Sequence, residues 1–199
     1  MKKITLVAGL ALILVVPAVS VATPSPDRAD KRAAKSECNM FRGHSGITRE
    51  AFLTKYQSFK ACVQSRARDE AREEQSARKN ASQECREERG TTPESRTAFN
   101  EQYGTNANDK NAFGKCVSTK AKAKEKEADA QDQEQATEFK NAAKECDSLR
   151  GDTAESREAF KNEWGTNANK SNAFGKCVST KARENHEENE GETETPPAS

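Results

Sequence analysis

Beyond an apolar run at Ile4–Val16, the hydrophobic positions of this chain fall into three short clusters separated by long charged stretches. Within the clusters the period is that of a helix. Phe99 and Tyr103 are four residues apart and share a face, as do Phe160 and Trp164. Phe113, Cys116 and Val117 form one apolar stripe at i, i+3 and i+4, and Phe174, Cys177 and Val178 repeat it. Each cluster reads as three helical pieces. The first ends at Gly43, Gly90 or Gly151, where glycine takes the left-handed position after an arginine. Ser45, Thr92 or Thr153 caps the second, and Pro93 sits just inside it, where a missing N–H does no harm. The second stops at Gly104 or Gly165. Asn108 or Asn169 is the expected N-cap of the third.

The stretches between clusters, "VQSRARDEAREEQSARKNASQEC" and "VSTKAKAKEKEADAQDQEQATEFKNAAKEC", lack Gly and Pro and consist mostly of good helix formers. Pairs such as Arg66–Glu70 and Glu74–Arg78 have the spacing of helical ion pairs. The third piece of one cluster is therefore expected to run straight into the first piece of the next. These stretches carry no sustained apolar a/d seam, so each is expected to be a lone, solvated helix rather than a coiled coil.

The clusters are copies of one another. Asn80–Ala121 and Asn141–Ala182 align without a gap at an offset of 61 residues, and 28 of 42 positions are identical. A shorter, diverged first copy matches through Cys38, Gly43, Phe52, Tyr56 and "FKACV". The boundaries are a signal peptide at 1–22, a polar linker at 23–32, repeat 1 at 33–66 and a charged helical linker at 67–79. Repeat 2 follows at 80–121, a second charged linker at 122–140, repeat 3 at 141–182 and a disordered acidic tail at 183–199. The segment 1–22 has a basic start at Lys2 and Lys3, an apolar run and a small-residue exit, with Ser20 and Ala22 at the −3 and −1 places of a cleavage site. The alternative is an uncleaved anchor, since Ile4–Ala22 approaches the roughly 20 residues that span a bilayer; Pro17 and the small-residue exit favour cleavage, which predicts a secreted or cell-envelope protein with no membrane span afterwards.

After Ala22 the large aliphatics are only Leu53, Leu149, Ile47, Val63, Val117 and Val178, beside eight Phe. So few core residues cannot offset chain entropy through one large core. Six cysteines in an exported chain supply the remainder. They allow 15 pairings. On a continuous helix Cys62 and Cys85 lie roughly 35 Å apart, and Cys116 and Cys146 about 45 Å, far beyond the roughly 7 Å that a bridge allows. This predicts Cys38–Cys62, Cys85–Cys116 and Cys146–Cys177, each worth about 3 to 4 kcal/mol. The fold class is all-α: three small disulfide-stapled helical nodes joined by long charged helices, with a disordered C-terminal tail.

The segments "GTNANDKNAFGKCVSTKA" and "GTNANKSNAFGKCVSTKA" resemble a cysteine motif of the form "YGTN…NAFGKCV" in secreted bacterial repeat proteins to which no activity is attached. The resemblance covers repeats 2 and 3. It covers repeat 1 in part, since Lys60 and Ala61 replace Gly-Lys. It implies export and repeat character, and no catalytic residue.

Chemistry is thinly signalled. The only histidines, His44 and His186, have no counterparts in the other copies, the even cysteine count leaves no free thiol, and CxxC is absent. No catalytic residue, metal site or cofactor is therefore assigned. The Asn-rich loop invites a Ca²⁺ reading, but Lys170 stands where repeat 2 has its one acid, Asp109. Gly114 and Gly175 fall inside helices, which points to close helix approach. The net charge of +1 becomes −1 without Lys2 and Lys3, which gives no reason to expect nucleic acid. The candidate binding surface is Arg49, Arg96 and Arg157 with Asn106, Asn108, Asn167 and Asn169, the arginines being expected to pair with Glu37, Glu84 and Glu145. The expected function is that of a non-enzymatic secreted or cell-envelope repeat protein, an interaction module or spacer whose partner is a protein or envelope component. The alternative is a small envelope ligand- or metal-binding protein; an enzyme ranks last.

Overall fold

The computed structural model describes residues 24–193, so the signal segment 1–22 and the tail residues 194–199 lie outside the described residues. The described chain forms seven helices: α1 (Arg28–Arg42), α2 (Gly46–Tyr56), α3 (Phe59–Arg89), α4 (Pro93–Tyr103), α5 (Ala112–Arg150), α6 (Ala154–Trp164) and α7 (Ala173–Thr193). The long helices α3 and α5 run unbroken from one cysteine cluster into the next, as the absence of breakers predicts. The outer ends of the helical region differ from the sequence reading. α1 begins at Arg28, inside the expected linker, because Asp27 and Asp30 form a capping box there. α7 continues to Thr193, so the first part of the expected tail is helical.

The short helices start where expected. Ser45, Thr92 and Thr153 each accept a hydrogen bond from the backbone N–H three residues on. Gly43, Gly90 and Gly151 end α1, α3 and α5 with φ near +60°, but their ψ lies near 180° rather than in the left-handed helical well. That region is open essentially to glycine alone. A Cβ at any of the three would also stand 2.6 Å from the Thr48, Ser95 or Ser156 hydroxyl. The expected caps Asn108 and Asn169 are displaced. α5 begins after Asn111, whose amide caps nothing in the helix.

The linkers are packed, contrary to the expectation of lone solvated helices. Arg66 pairs with Asp132, and Lys120 with Glu84, so α3 and α5 run antiparallel. α7 returns along α5 in the same way, from Cys177 beside Cys146 to His186 beside Glu138. α1 lies antiparallel to the start of α3 and against α5. The reason is a seam of small residues. Ala67, Ala71, Ala77 and Ala81 are buried on α3, and Ala121, Ala136, Ala142 and Ala143 on α5. Asp132, Ala136, Phe139, Ala143 and Cys146 follow a 4-3-4-3 spacing and are all buried. Alanine leaves little side-chain volume between backbones, so two helices can approach and gain dispersion contact without large apolar groups.

The nodes are not independent either. The first and third share one core, which joins Cys38, Phe41, Phe52 and Cys62 to Phe139, Cys146, Phe160, Phe174 and Cys177. Phe41 meets Phe139 edge to face at 5.6 Å. Arg150, at the end of α5, forks onto Glu50 of α2 at 2.7 and 3.2 Å and stacks over Phe174 of α7 at 4.4 Å. The second node keeps a smaller cluster of Cys85, Phe99, Ala112 and Cys116 at the opposite end of α5.

The two helical glycines now separate. A Cβ at Gly175 would run into Thr54 of α2, whereas one at Gly114 would meet nothing within 4 Å. Gly114→Ala should raise stability by about 0.5–1 kcal/mol, and Gly175→Ala should lower it. Thermal unfolding of the two variants checks this, and a stabilising Gly175→Ala would mean that α2 is not seated on α7.

Candidate functional site

The three bridges are Cys38–Cys62, Cys85–Cys116 and Cys146–Cys177, with Cα–Cα distances of 6.0, 6.1 and 5.9 Å. Each cysteine is fully buried. Beside each bridge lies an ion pair that sequence reasoning did not find. The glutamate preceding the first cysteine meets the base four residues after the second. Glu37 thus bonds Arg66, Glu84 pairs with Lys120 at 3.6 Å, and Glu145 pairs with Lys181 at 3.1 Å. These are the acids expected to hold Arg49, Arg96 and Arg157. The bridge sets two antiparallel helices side by side, and that register carries each glutamate to the facing helix instead. The signal was legible only once an antiparallel hairpin was assumed.

At the first node the pair grows into a buried cluster. Arg66 bonds both Glu37 of α1 and Asp132 of α5. It therefore does not make its expected helical pair with Glu70, whereas Glu74–Arg78 forms as expected. Glu37, Glu70 and Asp132 bring carboxylate oxygens within 4.8 Å of one another. This trio is where a metal-binding reading would place an ion, but the Arg66 guanidinium already holds two of the three acids. Despite burial, its bonds to Glu37 and Asp132 hold Arg66 firmly protonated. Burial pushes Asp132 up, against the pull of Arg66. The Oε1 of Glu70 is buried and makes no hydrogen bond. Burial, and then the neighbouring Glu37 carboxylate, push Glu70 up to about 9.

The predicted surface residues do not form one site. Asn108 and Asn169 serve their own turns, accepting from the N–H of Lys110 and Ser171 at 3.2 Å. Asn167 donates to Ser171 at 3.0 Å, and the Asn106 carbonyl accepts from the Asp109 N–H. Asn111 and Asn172 close the same loops by reaching back to Thr105 and Thr166. The two loops flank opposite ends of α5, which is about 58 Å long at 1.5 Å per residue. Arg96 is exposed on α4. Arg157 borders a 450 Å³ pocket together with Glu50, Arg150, Lys161 and Lys170.

Arg49 alone is brought to a larger concavity. The α1–α2 turn stands off from α5 and leaves an open cleft of about 850 Å³. Arg42, His44 and Arg49 line one wall, and Lys140 and Lys144 line the other, with no carboxylate among the lining residues. None of the four arginines and lysines makes an ion pair among the described residues. The cleft exists because α5 supplies its second wall. That wall lies outside repeat 1, so the repeat pattern alone could not reveal it.

Among the described residues no helix is long and apolar enough to cross a membrane. The three bridges fit an extracellular or otherwise oxidising compartment. The chain matches no family model, no curated protein and no solved structure.

The Arg66 cluster has a pH signature. Glu70 keeps its proton to about pH 9 in the folded state, against an ordinary value of 4.5. Folding therefore takes up a proton between those values, and stability falls as pH rises from 4.5 to 9. Denaturation at both ends of this window should show that loss in the natural chain and a flatter profile in Glu70→Gln. The variant should be the more stable at pH 9 by on the order of 1 kcal/mol, after allowance for partial exposure. An equal loss in both chains would remove Glu70 as the source.

Proposed function

We propose that the protein is an exported, non-enzymatic interaction module built from three related helical units, and that its binding face is the basic cleft between the α1–α2 turn and α5. Export rests on the signal-like segment 1–22 and on three buried disulfides, which an oxidising compartment maintains. The repeat character rests on the 61-residue offset and the shared cysteine motif.

The observation that carries the binding role is the segregation of charge. Basic and acidic residues are nearly equal over the whole chain, 33 against 32, yet a cleft of about 850 Å³ is lined by Arg42, Arg49, Lys140 and Lys144 and by no acid. Arg66, Arg78, Lys120, Lys124, Arg150 and Lys181 all meet carboxylates, whereas none of those four does among the described residues. Like charges held together without partners weaken the fold slightly, and an anionic partner relieves the repulsion. The partner is an acidic protein surface or envelope component. The disulfide-bonded scaffold keeps both walls in register before the partner arrives, which limits the ordering cost of binding.

Co-sedimentation of the oxidised chain with washed envelopes of the producing cells tests this reading. The double reversal Arg42→Glu with Lys144→Glu should lose most of the bound fraction, while Arg96→Glu, on the open face of α4, should bind as the natural chain does. No binding by the natural chain, or equal loss in both variants, would overturn it.

A further inference from the structure

The cleft also specifies what kind of anion it takes, an inference that rests on the binding role just proposed. Its bases come from three helices. Arg42 lies in the last turn of α1, Arg49 in the first turns of α2, and Lys140 and Lys144 one turn apart on a single face of α5. About 850 Å³ is far more than one small ion fills, and lies in the range of sites for sizeable ligands. The bases stand on both walls. A cleft of that size with bases on both walls suits a ligand with several charged groups along its length.

The donors suit tetrahedral oxyanions. Arg42 and Arg49 present planar forks that bond two oxygens of a phosphate at once, while Lys140 and Lys144 act as point charges opposite them. The start of α2 closes the same end of the cleft. Ser45 lines it and spends its hydroxyl on the Thr48 N–H, at 3.1 Å. The N–H groups of Gly46 and Ile47, in the first turn, have no intrahelical acceptor. A phosphate oxygen there would accept from the backbone while its neighbours meet the guanidinium groups. We infer that the cleft binds a ligand carrying several phosphate groups, free or borne on a lipid headgroup, spanning from the α2 start to Lys140 and Lys144. All these side chains reach solvent, so the interaction is salt-sensitive.

Calorimetric titration of the full oxidised chain with sodium tripolyphosphate at low ionic strength tests the inference, with citrate as the anionic control. Vesicles containing phosphatidic acid form a parallel arm that separates a lipid source from a soluble one. Saturable binding is expected with tripolyphosphate or the vesicles, tighter than with citrate. Lys140→Glu with Lys144→Glu should weaken it by about five- to thirtyfold, as expected for two lost surface charge contacts. Gly46→Glu is the second variant. Its side chain enters open space and its carboxylate suits the first turn of a helix, so it should fold normally and still repel the ligand. Arg96→Glu should bind unchanged. Absence of saturable binding in both arms, citrate binding as tight as tripolyphosphate, or insensitivity to both cleft variants would overturn the inference. If envelope binding depends on the cleft and tripolyphosphate and the vesicles do not bind, the phosphate inference fails and the interaction role stands.

Discussion

Each disulfide ties the end of one helix to the beginning of another, and the rest of the structure depends on that constraint. A bridge near the end of α3 and the start of α5 makes the two helices leave the second node side by side and in opposite directions. Two further bridges do the same for α1 with α3 and for α7 with α5. Chain entropy that few apolar residues could offset is reduced covalently in the unfolded state. Weak forces then decide the remainder. Alanine faces, which would not hold two free helices together, suffice once the helices are tethered at one end.

The same constraint explains where polar groups sit. Antiparallel registration carries Glu37, Glu84 and Glu145 across to Arg66, Lys120 and Lys181, so each bridge is flanked by a cross-helix ion pair. Two of those pairs are partly exposed and contribute little individually. The first is buried, takes on Asp132 as well, and locks α1, α3 and α5 at one point. Replacing Arg66 would leave buried acids without a counter-charge, which costs far more than the pair contributes. Among the described residues, Arg42 and Arg49 beside the α1–α2 turn and Lys140 and Lys144 on α5 stay outside such pairs and line one cleft.

Local features were legible in the sequence, and their assembly was not. Caps at Ser45, Thr92 and Thr153, glycine stops at Gly43, Gly90 and Gly151, the breaker-free α3 and α5 and the three pairings all follow from short-range chemistry and helix length. The linker packing escaped because its seam is written in Ala and Asp132 instead of Leu or Ile, so a search for an apolar a/d stripe passes over it. The fusion of the first and third nodes escaped because Glu50 and Arg150 lie 100 residues apart and neither stands out alone. The candidate site was half visible. Arg49 could be named from the repeat, but Lys140 and Lys144 look like ordinary solvated charges until α5 is folded back against α1.

Solution scattering from the oxidised chain beginning at Thr23 tests the folding-back most directly. α3 and α5 measure about 46 and 58 Å, so nodes strung on an opened chain would span roughly 105 Å or more. The antiparallel arrangement predicts a largest dimension for the helical body close to the length of α5, about 60 to 80 Å. A body of 105 Å or longer with all three bridges intact would contradict the shared core of the first and third nodes, and with it the cleft that depends on their meeting.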